Sequence, residues 1–262
     1  MQDNVWKLDP EWFRPWFNTE AYHILYGHRS EKEAQQLVNK LCASEWLGKE
    51  GKLLDAGCGS GRHSRSFAEQ GWDVIGIDLS ENSIQAARSL RSNQANDSVQ
   101  FEVEDLRNIH LRREWQEEFD VVANFFTSVG YFETEEEHQA VFQGFARALR
   151  PGGRLFIDFL NAPQVISNLS AHDTIEKEGI AFTIHRRFHN GWIEKSIQFD
   201  LDGEHHHHVE RVRALTLDDF SAALKDVGLE ILTLFGDNNL GSWHETSPRL
   251  MILAQKPNLA KP

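Results

Sequence analysis

The sequence predicts an α/β protein built on a doubly wound, mostly parallel sheet. An apolar strand, Leu53-Leu54-Asp55-Ala56, runs into the glycine turn Gly57-Cys58-Gly59-Ser60-Gly61 and then into a helix-compatible segment. Strand-length apolar runs alternate with helical periodicity from about residue 50 to 160. That alternation stops after Asn161, where Asn-Gly and Asp-Gly dipeptides between β-rich runs signal hairpins. A chain of 262 residues is long enough to bury such a core as one large domain with an insertion.

Taken in order, residues 1–30 carry Trp6, Trp12, Phe13, Trp16, Phe17, Tyr22 and Tyr26, then His28 and Arg29. That density of aromatics predicts short helices packed on the main domain rather than a free tail. Tyr22 and Tyr26 stand one helical turn apart and also suit a lid. Ser30 with Glu33 is a capping-box pattern, and Ala34, Leu37, Val38, Leu41 and Cys42 keep helical spacing to about Trp46.

Strand 52–56 follows, then helix 61–70 stopped at Gly71, strand 72–78, and a helix over 84–90 that Ser80 can cap. Residues 99–103 and 119–124 are strands. Helix 135–149 ends on Arg150-Pro151-Gly152-Gly153, and strand 154–160 follows. Segments 174–188, 192–199 and 206–213, joined by His189-Asn190-Gly191 and Asp202-Gly203, predict a three-stranded antiparallel meander, read as an insertion over the cleft. Helix 217–227, ended by Gly228, and strands 229–235 and 249–255 complete the chain. The expected organisation is a cap over 1–47, a core over 48–161, the insertion over 162–213 and a return to the core over 214–262.

Alternate glycines free one side of the turn from Cβ atoms, so a ligand can lie against the backbone. Arg62 stands where a dinucleotide motif places its third glycine, and Asp55 would repel a pyrophosphate but welcome a cation. The acid-x-Gly-x-Gly-x-Gly pattern of Asp55, Gly57, Gly59 and Gly61 resembles the first motif of the class I S-adenosylmethionine-dependent methyltransferases. The leucine-arginine-Pro-Gly-Gly turn at 149–153 is a further feature of that family. The resemblance implies a Rossmann-like seven-stranded sheet with its last strand antiparallel, and S-adenosylmethionine as cofactor.

Asp78, with Leu79 beside it, lies 17 residues beyond Gly61, where nucleoside-binding α/β folds place an acid against ribose hydroxyls. The competing reading is a helix-capping acid. The resemblance assigns the adenine to Asp105 and Leu106, and places Cys58, Asn124 and Phe125 along the cofactor. The run Ser128-Val129-Gly130-Tyr131 resembles small-molecule methyltransferases, including sugar-amine N-methyltransferases. Family members with a Tyr-rich helix before the first motif use it as a lid, which puts Tyr22, Tyr26 and Arg29 with Ser128 and Tyr131 at the acceptor.

The acceptor expected is a small amine, amino sugar or phenol-like ring. A net charge of −13 disfavours polyanions, and neither an Asn/Asp-Pro-Pro-aromatic run nor a Pro-Cys nucleophile follows the fourth strand. No stretch approaches membrane-spanning length and no targeting pattern opens the chain, so a soluble, cytoplasmic protein is expected. Cys42 and Cys58 do not make a disulfide framework. Of His205–His208 at most two side chains share a strand face, so a polar solvent-facing strand is expected rather than a metal site. A hydroxyl acceptor would need a base. His23, His28, His185 and His244 are candidates, with Tyr131 and His244 carried as catalytic residues. A non-catalytic cofactor-binding or regulatory protein, an aminopropyl transferase and an NAD-dependent oxidoreductase are the alternatives.

Overall fold

The computed structural model describes residue 6 and residues 9–27, 30–90 and 98–258. Helices α1 (Phe13–Trp16), α2 (Glu20–Tyr26) and α3 (Glu31–Ala43) precede the first strand. Then β1 (Gly51–Ala56), α4 (Arg62–Glu69), β2 (Trp72–Asp78), α5 (Glu81–Ser89), β3 (Val99–Val103), β4 (Phe119–Asn124), α6 (Glu135–Ala148) and β5 (Leu149–Leu160) follow. After α7 (Ala162–Ser167) come β6 (His172–Lys177), β7 (Ile180–His189), β8 (Trp192–Leu201) and β9 (Glu204–Arg213), and α8 (Leu217–Asp226), β10 (Glu230–Phe235) and β11 (Arg249–Gln255) close the chain.

Seven strands form one sheet in the order β10-β11-β5-β4-β1-β2-β3. β11 alone runs antiparallel, against both β5 and β10. Leu53 and Leu54 of β1 and Val121 and Val122 of β4 are fully buried, because helices cover both faces of the sheet; this is why these strands read as unbroken apolar runs. Parallel pairing brings the carboxyl ends of β1, β2 and β4 to one edge of the sheet, where a doubly wound fold receives its ligand.

Three elements differ from expectation. The meander has four strands, β6-β7-β8-β9, because Glu178 (φ 48°) and Gly179 (φ 80°) reverse the chain inside the segment read as one strand. Glu-Gly does there what Asn-Gly does at 190–191. The breakers at 150–153 lie within β5, where the register against β4 shifts between Phe119 and Val121. Helix α7 was not expected, since six residues are too few to show a period and Pro163 at its start is its mark.

The histidine run is also more than a polar strand. His206 stacks on Phe199 (5.1 Å, 13°) and His208 on Trp16 (4.2 Å, 27°), while His205 pairs with Asp200 and His207 with Ser196. Strand alternation sends one pair to an apolar face and the other to solvent. Trp16 reaches that face because Trp12, Phe13, Trp16 and Leu25 share one core with Phe182, Ile184, Ile197 and Phe199 of the second sheet and Val129 and Phe132 beyond β4. Among the described residues no helix is long and apolar enough to cross a membrane.

Candidate functional site

The glycine turn is positioned by backbone bonds to β2. Gly57 and Cys58 both donate to the Ile77 carbonyl at 2.8 Å, and Gly59 N–H donates to Asp78 Oδ2 at 2.8 Å. Asp78 Oδ1 accepts from Ser80 N–H at 2.9 Å, so one carboxylate ties the turn to the start of α5. Burial pushes its carboxyl up, against the hydrogen bonds from Ser80 and Gly59.

All three glycines are left-handed, but their surroundings differ. A Cβ on Gly57 would lie 2.7 Å from Ser128 Oγ, one on Gly61 2.5 Å from the Phe101 ring, and one on Gly59 would meet nothing within 4 Å. Gly59 therefore presents the open face and Gly61 serves the packing of α4 on the sheet.

Beneath the turn Asp55 is fully buried. Ser64 Oγ donates to its Oδ2 at 2.5 Å, and Oδ1 has no hydrogen-bond partner. Burial pushes this carboxyl up to about 7; the Ser64 hydroxyl opposes the shift and the nearby Asp78 adds to it. Asn124 closes the gap to β4, donating through Nδ2 to the Ala56 carbonyl at 2.6 Å, and its Oδ1 is likewise buried without a partner.

Above these residues lies a cavity of about 390 Å³. Gly57, Cys58, Gly59 and Asp78 form one wall, Phe125, Phe126, Ser128 and Tyr131 a second, and Tyr22, His23 and Tyr26 of α2 a third. Ten expected residues thus meet in one space: Gly57, Cys58, Gly59, Asp78, Phe125, Ser128, Tyr131, Tyr22, Tyr26 and the candidate base His23. Asp55, Asn124 and Gly61 stand behind its wall, and Leu79 packs against the core.

Others lie elsewhere. Asp105 caps the 3₁₀ turn Leu106–Leu111, and its Oδ2 is held by Arg14 at 2.9 Å and Arg107 at 2.7 Å, so its acceptors serve an ion network that also takes in Glu11 and Glu137. Leu106 is buried in the core beside it. His244 is exposed and bonded to Thr246, and His185 packs at a tilt against His172 on the second sheet, 4.6 Å between ring centres. Neither reaches the cavity, because the segments carrying them fold over other faces. His28 and Arg29 fall outside the described residues.

Two cavity residues carry roles that the sequence reading missed. His63, on the first turn of α4, stacks on Phe125 at 4.0 Å and 8°, and burial, with the neighbouring Arg62 charge, holds its imidazole well below the ordinary value. Its place just past the glycine turn was the available signal. Phe126 lies under the Arg62 guanidinium, 4.3 Å from the ring centre. Among the described residues no group of three or more His, Cys, Asp or Glu side chains is arranged to hold a metal ion. A buried carboxylate with one oxygen unpartnered, an open glycine face and an acid at the next strand end fit a ligand that is cationic at one end and carries hydroxyls at the other.

A family model described as a methyltransferase domain matches residues 53–153. The chain is 29% identical over 193 residues to a dTDP-3-amino-3,4,6-trideoxy-alpha-D-glucopyranose N,N-dimethyltransferase of Streptomyces venezuelae, covering 70% of this chain and 77% of that one. Among solved structures, the CcbJ methyltransferase of Streptomyces caelestis superposes with a TM-score of 0.78 at 16% identity, over 95% of this chain and 100% of that one. An amino pentose methyltransferase of Micromonospora echinaspora, solved with S-adenosylmethionine bound, gives a TM-score of 0.66 at 23% identity, over 91% and 97% of the two chains.

Proposed function

We propose, starting from the chain's membership of the class I S-adenosylmethionine-dependent methyltransferases, that it methylates the nitrogen of a small amine or amino sugar in the cytoplasm. The observation that carries this reading is the single cavity in which the glycine wall and Asp78 face an aromatic loop and the α2 tyrosines. The net charge of −13 speaks against a nucleic-acid acceptor.

When bound, S-adenosylmethionine supplies a methyl group already activated by its sulfonium. Gly57 and Gly59 would take the amino-acid moiety against bare backbone, and Asp55 below would favour its cationic groups. Asp78 would accept from the ribose hydroxyls in place of Gly59 and Ser80 N–H. Phe126, Tyr22, Tyr26 and Tyr131 would exclude water; Phe126 already carries Arg62 and Tyr26 carries Lys195, and the ring faces of Tyr22 and Tyr131 would attract a cationic acceptor, each worth about 1–2 kcal/mol when desolvated. Holding nucleophile and methyl in line supplies most of the rate, since a neutral amine needs no strong base. His23, on the cavity rim, is lowered by partial burial and stands ready as a neutral imidazole to take a proton from an acceptor ammonium and pass it to solvent.

A radiolabel screen tests the reading, with dTDP-linked amino sugars, simple amines, phenols and tRNA as acceptors. Incorporation into amines ahead of phenols and tRNA is expected. Faster labelling of tRNA or phenols, or binding of NAD without S-adenosylhomocysteine, would overturn it.

A further inference from the structure

The loop after β4 holds two consecutive residues other than glycine in the left-handed region, Phe126 (φ 56°) and Thr127 (φ 65°). A β-branched residue is a strong outlier there, and such strain persists only where the surroundings enforce it. The enforcing residue is Asp158, near the end of β5, whose side chain is 3% exposed. Its carbonyl accepts Thr127 N–H at 3.2 Å and its Oδ2 accepts Phe126 N–H at 3.4 Å, so both strained amides end on one residue.

The carboxylate is in turn fixed from the antiparallel strand. Arg249 of β11 donates through Nε to Asp158 Oδ1 at 2.8 Å, with Nη2 2.6 Å from the same oxygen. The same guanidinium lies 5.6 Å from the centre of the Phe126 ring, which faces the cavity. A buried carboxylate stripped of its cation is costly, so the pair holds the aspartate where the loop needs it. Beyond the strained pair the chain turns through Gly130 N–H to the Thr127 carbonyl at 2.8 Å, which brings Tyr131 back to the cavity wall.

We infer that Asp158 and Arg249 are a positioning pair, holding the loop after β4 in a strained form that sets Phe126 and Tyr131 at the acceptor end of the cavity. The inference rests on the methyltransferase reading for its catalytic consequence, but not for the loop geometry. Neither residue need touch substrate. Asn at position 158 would turn an N–H₂ toward either Arg249 or the Phe126 amide, so it breaks the relay while keeping the volume. Asn at position 127 would relieve the strain, because Asn tolerates the left-handed region.

The test uses the full chain with Asp158→Asn, Thr127→Asn and the double variant. It reads hydrogen exchange by mass spectrometry over 125–131, S-adenosylhomocysteine affinity by calorimetry, and methyl transfer to the best amine of the acceptor screen. In Asp158→Asn, exchange in the loop rises and kcat falls by about tenfold, as release of one strained residue implies, with affinity for S-adenosylhomocysteine little changed. The double variant recovers most of both losses, which a merely structural aspartate would not permit. Thr127→Asn alone raises Tm, a readout that survives if Asp158→Asn does not fold. Unchanged loop exchange in Asp158→Asn, absence of recovery in the double variant, or no rise in Tm with Thr127→Asn would each overturn the inference. A wild-type chain that neither binds S-adenosylhomocysteine nor labels any acceptor would instead overturn the proposed function, leaving the exchange and melting results to judge the pair.

Discussion

The phenol of Tyr26 donates a 2.6 Å hydrogen bond to Glu210 Oε2, joining α2 to β9 across 184 residues. The other carboxylate oxygen accepts from Trp16 Nε1 at 2.5 Å, and Lys195 of β8 donates to the Tyr26 oxygen and stands 3.6 Å from Glu210. One carboxylate, 13% exposed, therefore fastens α1 and α2 to the second sheet.

Replacing Glu210 by Ala removes the acceptor of the Trp16 indole N–H and of the Tyr26 phenol and the counter-charge beside Lys195. The expected loss is about 2–4 kcal/mol, the range for breaking a largely buried charged network. Urea unfolding measures it. S-adenosylhomocysteine binding should weaken as well, since Tyr26 lines the cavity. Unchanged stability would mean that the cap is held by its apolar contacts alone.

The three glycines separate binding from folding. Gly59→Ala adds a methyl to open space and incurs only left-handed strain, about 1–2 kcal/mol, so the protein should fold but bind S-adenosylhomocysteine poorly. Gly61→Ala carries the same strain and also drives a methyl to 2.5 Å from Phe101, so its larger effect is on Tm. Calorimetry on both variants checks the order, and equal binding losses at equal stability would contradict it.

Strands buried on both faces declare themselves in sequence as apolar runs, as β4 and β11 do, and β2 and the edge strand β3 declare themselves by alternation; all four fall where expected. The glycine turn was legible because backbone that approaches a ligand must lack Cβ atoms. The strain at Phe126 and Thr127 was not, since neither residue type signals a positive φ. Nor was the diversion of Asp105 to Arg14 and Arg107, which depends on where a distant segment folds back. The Glu-Gly turn at 178–179 was missed for lack of an Asn or Asp.

Asp55 gives the unliganded protein a pH dependence whose sign follows from its raised carboxyl. Its folded value, about 7, lies above the ordinary 3.8, so the stability it contributes is full below the ordinary value and is lost as pH rises through about 7. Buried His63, held low, works oppositely, its contribution fading as pH falls through the ordinary value of 6.5. The difference in stability between wild type and Asp55→Asn isolates the aspartate: it should move against wild type as pH rises from the ordinary value of 3.8 to about 7, the window set by that shift, and level off above it. The ammonium of S-adenosylhomocysteine favours the ionised form, so its affinity should rise over the same window in wild type and stay flat in the variant. A pH-independent difference would place Asp55 in its ordinary range.

Tyr131 tests whether the aromatic loop serves the acceptor or the cofactor. Its ring packs edge-on against Trp12 at 5.5 Å and Phe17 at 5.4 Å, and its hydroxyl donates to the Phe126 carbonyl at 3.5 Å. Tyr131→Phe keeps every ring contact and removes only the hydroxyl, so stability and S-adenosylhomocysteine affinity should stay close to wild type. Turnover of the amine acceptor should fall by about tenfold, the equivalent of one hydrogen bond of roughly 1.4 kcal/mol made during reaction. Tyr131→Ala also opens the cap, and its added loss should appear in Tm as well as in kcat. Parallel kinetics and calorimetry on the two variants decide the matter: if Tyr131→Phe weakens S-adenosylhomocysteine more than it slows methyl transfer, the hydroxyl serves the cofactor and the acceptor lies elsewhere along the cavity.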